Sequence, residues 1–191
     1  MNTDFYLYFI DLCWLVIGAY WLINAFNTKQ TIRKQSLALR WAYLLALAFS
    51  FVLLYSPFHQ ISWLRVQVIP QSDLSGVIGC LLCAAGILFA IRARYILGEN
   101  WSGNVTLKQG HELIRTGPYS IVRHPIYTGA LLGLLGSAMV TGEMKGFVAV
   151  IVCFLGFWHK LKMEENFMME EFPDQYPDYR KQVKMLIPFI F

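Results

Sequence analysis

The sequence predicts an all-α, polytopic membrane protein with about five transmembrane helices. Of the 191 residues, 57% are hydrophobic and only 15% are charged, whereas soluble domains carry about 25% charged residues. Several apolar stretches approach or exceed the ~20 residues that a helix needs to cross a bilayer. Two shorter apolar runs near the C-terminal end are separated only by a brief polar turn, and they predict a helical hairpin.

Helices packed side by side leave no room for a second core. We therefore expect residues 1–191 to form a single integral-membrane domain. The predicted spans are about 5–26, 41–58, 74–97, 126–140 and 146–161. Three glycines in the fourth span, Gly129, Gly133 and Gly136, are expected to allow close helix packing, as small residues do in membranes. The longest hydrophilic stretch, 98–123, and a second polar segment, 162–184, flank the hairpin.

The placement of positive charge predicts the orientation. Fourteen of the 16 Lys and Arg residues lie in the three connections on one side, and only Arg65 and Lys145 lie on the other. The positive-inside rule then places the N-terminus outside and the C-terminus in the cytoplasm. The membrane would be the plasma membrane in a prokaryote or the endoplasmic reticulum in a eukaryote. Arg92 and Arg94, at the end of the third span, are expected to snorkel toward lipid head groups.

Several classes of site are excluded by the pattern. All four cysteines lie in apolar segments, where they are expected to act as small hydrophobic residues, so no metal site is expected. The glycines of the fourth span follow no strand, which excludes a dinucleotide-binding fingerprint, and there is no P-loop or Gly-x-Ser-x-Gly motif. No nucleic-acid partner is expected.

The segment from Arg115 to Gly129 contains turn residues between two apolar regions. Gly117-Pro118 marks a turn, and Pro125 suits the first position of a helix. Free N–H groups at that helix start would attract an anionic group of a ligand. The alternative interpretation is a basic loop held by its own turn residues.

The helix of the last span extends into charged sequence. Lys160 and Glu164 are four residues apart and share one face. They lie close to the membrane boundary, where ionisable groups are functional or snorkel, although a simple surface ion pair is the alternative. Pro173 is expected to end this helix at or before Phe172.

These residues form an ordered pattern that resembles the isoprenylcysteine carboxyl methyltransferase family and the related phospholipid methyltransferases. The matching positions, which fall on either side of the hydrophobic hairpin, are Gly117, Tyr119, Arg123, His124, Pro125 and Tyr127, then Glu164, Glu165, Phe172, Tyr176 and Tyr179. The resemblance covers about residues 97–191. It implies methyl transfer from S-adenosyl-L-methionine, with S-adenosyl-L-homocysteine as product, to a prenylated or other lipid-like substrate that is presented from the bilayer, with membrane lipids as the other partners.

The resemblance also implies roles for individual residues in the half from 98 to 191. The implied cofactor-binding residues are His111, Glu112, Leu113, Ile114, Tyr119, His124, Pro125, Ile126, Tyr127 and Glu164. We expect the helix start with His124 to hold the carboxylate of the cofactor and Glu164 its ammonium group. Lys160 falls where the eukaryotic enzymes have a substrate-binding arginine, and Lys160 and Glu164 are the predicted catalytic residues. Lysine keeps the charge but lacks the planar fork for a carboxylate, which leaves the acceptor open between a prenylcysteine, another anionic amphiphile and a lipid amine.

Three other functions remain as alternatives. A phospholipid N-methyltransferase would need to deprotonate a lipid amine, and a sterol-type reductase would bind a nicotinamide cofactor. The third is a non-catalytic membrane scaffold or a transporter, for which charged residues would be expected in the middle of the spans. The second to fifth spans have none there. The oligomeric state is left open.

Overall fold

The structure, a computed structural model, describes residues 3–24, 31–33, 37–55, 61–98, 107–108 and 113–190. Its helices are α1 (Thr3–Ile23), α2 (Leu37–Tyr55), α3 (Asp73–Leu97), α4 (Pro125–Thr141), α5 (Met144–Glu171) and α6 (Tyr176–Gln182). Within these described residues, two short strands, β1 (Thr31–Arg33) and β2 (Leu107–Lys108), pair antiparallel, and two 3₁₀ helices cover Ser62–Arg65 and Gly117–Ser120. The predicted all-α class is confirmed.

Five of these helices, α1 to α5, are apolar. In the described part of the chain, the helical stretches Asp4–Ile23, Asp73–Leu97 and Met144–Glu171 are long and apolar enough to cross a membrane, and Trp41–Tyr55 and Pro125–Thr141 are shorter. At 1.5 Å per residue, the 17-residue α4 is about 25 Å long, close to the thickness of the hydrocarbon core. The helices therefore indicate an integral membrane protein, as the sequence predicted.

Local sequence accounts for where the helices begin and end. Ser72 and Ser75 form a reciprocal capping box at the start of α3, which satisfies N–H groups that have no partner within the helix. Pro125 is the first residue of α4. Helix α5 ends at Glu171 with Phe172 as its cap, directly before Pro173. The predicted start at Pro125 and the predicted stop at Phe172 are both confirmed.

Small residues bring α3 and α4 into backbone contact. A Cβ atom added to Gly86 would lie 2.5 Å from the carbonyl oxygen of Gly129, and one added to Gly136 would lie 2.5 Å from the backbone N of Cys83. The glycines of α4 therefore do permit close packing, and their partner is α3 rather than the other helix of the hairpin. Helix α1 joins this pair where Trp14 Nε1 donates to Ser137 Oγ at 3.0 Å, while α2 packs on α5.

Contacts at the two ends show that α1 and α3 run parallel, while α4 runs antiparallel to α3, since Gly79 faces Gly136 and Gly86 faces Gly129. At one end Tyr6, near the start of α1, bonds Asp73 at the start of α3 (3.2 Å). At the other end Arg94, near the end of α3, donates to the carbonyl of Asn24, just after α1 (3.1 Å). We call this second end the site end, because α4 begins there and the charged half of α5 lies beside it.

The expectation for Arg94 was wrong. Arg92 is exposed, but Arg94 is only 2% exposed and donates to the carbonyls of Gly98 (2.7 Å) and Asn24 (3.1 Å). The physical reason is that α3 packs against both α1 and α4, so the face that carries Arg94 is turned inward. Carbonyl groups at the ends of α1 and α3 provide the hydrogen-bond acceptors that a buried guanidinium requires.

Candidate functional site

The residues before α4 are fixed by the C-terminal segment. The backbone N–H groups of Arg123 and His124 donate to the carbonyls of Lys184 (2.8 Å) and Met185 (3.1 Å). Pro125 keeps His124 out of the helical region, with φ −124° and ψ 62°. The side chains of Arg123 and His124 are thus set by a non-helical backbone at the start of α4, and both face the charged half of α5.

Glu165 forms the buried centre of this arrangement. Its Oε1 lies 2.6 Å from Arg123 Nε, 3.2 Å from His124 Nε2 and 3.1 Å from the hydroxyl of Tyr176, while Arg180 Nε lies 3.4 Å from Oε2. The side chain of Glu165 is 4% exposed. One carboxylate therefore ties together the start of α4, the end of α5 and the short helix α6.

The neighbouring Glu164 has a more open environment. The hydroxyl of Tyr127 donates to its Oε1 at 2.7 Å, His124 Nδ1 lies 3.5 Å from Oε2, and Lys160 Nζ lies 3.7 Å from Oε1. Its side chain is nevertheless 21% exposed, against 4% for Glu165. A carboxylate that is held by protein groups and still reaches open space can bind a cationic group of a ligand.

Lys160 places a positive charge beside this carboxylate. Its side chain is 6% exposed, and its Nζ lies 4.1 Å from the ring centroid of Tyr43 and 5.5 Å from that of Tyr127. Aromatic faces at such distances attract a cation, and the attraction grows when the cation is desolvated. The site thus has an ammonium group and a carboxylate side by side.

Burial and charge set the ionisation of the groups before α4 and in α6. Burial alone would lower the pKa of His124, but its hydrogen bonds to Glu164 and Glu165 and their negative charges raise that pKa above its ordinary value. Burial raises the pKa of Tyr119, and it raises that of Tyr179 to about 12. Both phenols therefore stay neutral at physiological pH, and the hydroxyl of Tyr179 donates a hydrogen bond to the carbonyl of Tyr119 (2.5 Å).

Four of the predicted site residues lie together, namely His124, Tyr127, Lys160 and Glu164. Of the remaining described ones, Tyr119 and Pro125 are buried, and Leu113, Ile114 and Ile126 are partly buried. His111 and Glu112 lie outside the described residues. The two segments that the sequence placed on one side of the membrane, before α4 and at the end of α5, do meet.

The structure differs from the expected role of His124. Both of its ring nitrogens face protein carboxylates, those of Glu164 and Glu165, so the ring does not present a free donor to the carboxylate of a ligand. The reason is that Glu164 and Glu165, adjacent on α5, both turn toward the start of α4. An anion bound there would have to rely on the backbone N–H groups of the first helical turn.

Three site residues were not assigned a role from the sequence, namely Arg123, Glu165 and Tyr43. Arg123 and Glu165 each adjoin a predicted residue, and both belong to the ordered pattern, so that pattern was the available signal. Tyr43 had no such signal, because it lies in an apolar run that carries no motif. Among the residues that the structure describes, no group of three or more His, Cys, Asp or Glu residues could hold a metal ion.

Comparison with known families agrees with this geometry. A family model described as "Phospholipid methyltransferase" matches residues 74–175, which is more than half of the chain. The chain belongs to the phospholipid methyltransferase family. The match begins at the start of α3, upstream of the resemblance seen in the sequence, and leaves α1 and α2 outside.

Some relatives of this chain are named as enzymes that methylate prenylcysteine. "Protein-S-isoprenylcysteine O-methyltransferase" of Saccharomyces cerevisiae is 30% identical over 122 residues, covering 62% of this chain and 51% of the yeast protein. "Probable protein-S-isoprenylcysteine O-methyltransferase" of Oryza sativa subsp. indica is 24% identical over 174 residues, covering 90% of this chain and 88% of the rice protein. The chain therefore spans about half the length of the yeast relative.

A solved structure shares the fold. The eukaryotic intramembrane Ras methyltransferase ICMT (isoprenylcysteine carboxyl methyltransferase) matches with a TM-score of 0.60 and 25% identity, covering 78% of this chain and 52% of that one. Together with the named relatives, this match confirms the predicted resemblance to the isoprenylcysteine carboxyl methyltransferases. The family implies a methyl donor.

Proposed function

We propose that this chain transfers a methyl group from S-adenosyl-L-methionine to the carboxylate of a membrane-embedded amphiphile such as a prenylated cysteine. One observation carries the proposal: the buried ammonium of Lys160 lies 3.7 Å from the partly exposed carboxylate of Glu164. A methyltransferase of this kind must hold a cationic donor and an anionic acceptor next to each other. The names of the relatives support the same acceptor class.

The residues present fit such a donor. The open side of Glu164 suits the ammonium group of S-adenosyl-L-methionine, and the remaining holding residues would be His111–Ile114, Tyr119 and His124–Tyr127, with His124 acting through its contact to Glu164. Once bound, the cofactor supplies an electrophilic methyl group on a sulfonium and leaves as S-adenosyl-L-homocysteine. Residues 98–191 would carry this cofactor site within a single domain spanning 1–191, whose first 97 residues supply three of the spans.

Lys160 would bind and orient the acceptor. A carboxylate is already ionised near neutral pH, so the protein needs no general base. Its task is to align the reacting groups and to exclude water, and alignment alone can contribute a large part of the rate enhancement. The buried surroundings of Lys160 strengthen its attraction for an anion, while the apolar helices would accommodate the hydrocarbon chain.

The geometry argues against a lipid amine as acceptor. An ammonium group must lose a proton before it can accept a methyl group, which calls for a general base. The histidine in the site, His124, lies between two carboxylates that stabilise its protonated form. It is therefore poorly suited to take up that proton, and the positive charge of Lys160 would repel a cationic head group.

The test is methyl transfer by the purified protein in lipid nanodiscs, with labelled cofactor and an N-acylated S-prenylcysteine. A methyl ester releases its label as methanol in alkali, whereas a methylated amine does not. We expect alkali-labile product from the unaltered protein and at least a tenfold loss of transfer in Glu164→Gln. Glu170→Gln, at an exposed position of the same helix, is the matched control and should stay near full activity.

Phosphatidylethanolamine in the same nanodiscs provides the competing acceptor. Alkali-stable label in the lipid extract, without ester, would replace the proposed acceptor by a lipid amine. Full transfer in Glu164→Gln would remove Glu164 from the site. The proposed orientation, with the site end on the cytoplasmic face, would let the cofactor reach the site from the cell interior.

A further inference from the structure

The ammonium of Lys160 lies closest to a ring that belongs to α2. Its Nζ is 4.1 Å from the ring centroid of Tyr43, against 5.5 Å for Tyr127. Tyr43 is 9% exposed, so this contact is formed away from water, where a cation is attracted more strongly to an aromatic face. Helix α2 lies outside the region that the family model matches.

Close packing of α2 on α5 creates this contact. A Cβ atom added to Gly156 would lie 2.5 Å from the Cβ of Ala46, so no side chain separates the two helices there. Tyr43 precedes Ala46 by three residues, and Lys160 follows Gly156 by four, which places both about one turn from the crossing toward the site end. The small residues at the crossing thereby bring the ring over the ammonium group.

We propose that Tyr43 is a positioning residue that holds Lys160 toward the acceptor and sets the preference of the site for an anionic head group. This inference rests on the proposed function, in which Lys160 binds the acceptor. It assigns a role in substrate selection to α2, a helix for which the sequence indicated only membrane crossing.

The physical reason is that two groups, the carboxylate of Glu164 and the ring of Tyr43, attract the ammonium of Lys160 from different sides. Glu164 attracts it from 3.7 Å away on the same helix, and a lysine side chain has enough rotamer freedom to follow that attraction. The ring of Tyr43 attracts it from the α2 side and adds no negative charge. The two attractions together keep the ammonium between the helices, where an acceptor carboxylate can approach it.

The experiment compares binding of an N-acylated S-prenylcysteine acid and its neutral methyl ester to the purified protein, without methyl transfer. The variants are Tyr43→Phe, which keeps the aromatic face, and Tyr43→Leu, which removes it. We expect Tyr43→Leu to reduce the preference for the acid about fivefold to tenfold, in line with a desolvated cation–π contact. Tyr43→Phe should keep that preference within about twofold, and Phe49→Leu, an exposed aromatic position of α2, should leave it unchanged.

Turnover gives a second measurement. Because Tyr43 acts on binding of the acceptor, Tyr43→Leu should raise the KM for the acceptor by a similar factor, with kcat within about twofold and cofactor affinity unchanged. In a Lys160→Gln background, Tyr43→Leu should have no further effect, since residues that act through one contact are not additive.

Three results would overturn the proposal. They are an unchanged acid preference in Tyr43→Leu, an equal loss in Tyr43→Phe, and full additivity of Tyr43→Leu with Lys160→Gln. A protein that prefers the acid but transfers no methyl group would reject the proposed function and leave the role of Tyr43 to be judged by binding alone. Methyl transfer with an unchanged acid preference in Tyr43→Leu would reject only the role of Tyr43.

Discussion

The adjacent residues Glu164 and Glu165 have different roles in this site. Glu165 accepts from Arg123, His124 and Tyr176 and is 4% exposed, whereas Glu164 is 21% exposed and has Lys160 beside it. A fully buried carboxylate with this many donors stabilises the local fold, because removing it would leave a buried guanidinium unpaired. The partly open one remains able to bind a ligand. The difference arises because adjacent helical residues point about 100° apart.

The coupling of His124 to these carboxylates makes the stability of the site depend on pH. The carboxylates raise the pKa of His124 in the folded protein, above the value of about 6.5 expected when unfolded. The imidazolium contacts therefore contribute fully below about pH 6.5, and their contribution is lost as pH rises through the folded pKa. We expect the unfolding temperature of the unaltered protein in detergent to exceed that of His124→Asn most at about pH 6 and least at about pH 9.

The matched control for this experiment is His159→Asn, at an exposed position of α5. It removes a histidine of the same helix but leaves the contacts of His124 to Glu164 and Glu165 in place, so it should not reproduce the loss seen in His124→Asn. If the difference between the unaltered protein and His124→Asn stayed constant or grew with pH, the imidazolium contacts to Glu164 and Glu165 would not be the source of the stabilisation.

At the residue scale, the sequence could identify groups but not their partners. Glu164 and Lys160 were predicted to lie together because four residues separate them on a helix. The pair formed by Arg123 and Glu165 joins positions 42 residues apart, and no local periodicity relates them. The burial of Arg94 could not be predicted from local sequence either, since it depends on how α3 packs between α1 and α4.

At the element scale, α4 depends on glycine for its contact with α3. The backbones touch where Gly86 faces Gly129, and small residues allow the same approach in many membrane helices. The sequence predicted where α4 begins, because proline restricts its own backbone and that of the preceding residue. The sequence did not indicate which helix would pack against the glycines of α4, because any apolar helix could approach them equally closely.

Gly86→Ala should therefore destabilise the protein. The added Cβ would lie 2.5 Å from the carbonyl of Gly129, so the helices must move apart, and overpacking of this kind costs about 1–3 kcal/mol. Gly18→Ala is the matched control, because nothing lies within 4 Å of its added Cβ. Thermal unfolding in one detergent should show a lower unfolding temperature for Gly86→Ala and an equal or higher one for Gly18→Ala. Equal values for the two variants would show that the α3–α4 contact is not tight.

At the scale of the whole molecule, the charged residues of the site meet at one end of the helix bundle. The end of α3, the start of α4 and the charged half of α5 lie there, together with α6. The opposite end carries the start of α3 and the turn between α4 and α5, where Gln67 donates to the carbonyl of Thr141 at 3.1 Å. Hydropathy and charge predicted this alternation, because both follow from the bilayer. They did not predict that α2 would reach into the site, since its apolar residues serve lipid and protein contacts alike.

The two ends should therefore be accessible from opposite sides of the membrane. The distribution of Lys and Arg predicts that the site end faces the cytoplasm. Single cysteines introduced as Lys181→Cys, at a side chain that is 76% exposed at the site end, and as Gln71→Cys, at an exposed position of the other end, provide the test. A membrane-impermeant thiol reagent should label Gln71→Cys in intact cells and Lys181→Cys only in inverted vesicles.

The unaltered protein, whose cysteines lie in apolar helices, is the control for background labelling. Labelling of both positions from the same side would contradict their placement at opposite ends of the bundle, and the reverse pattern would place the site on the outer face.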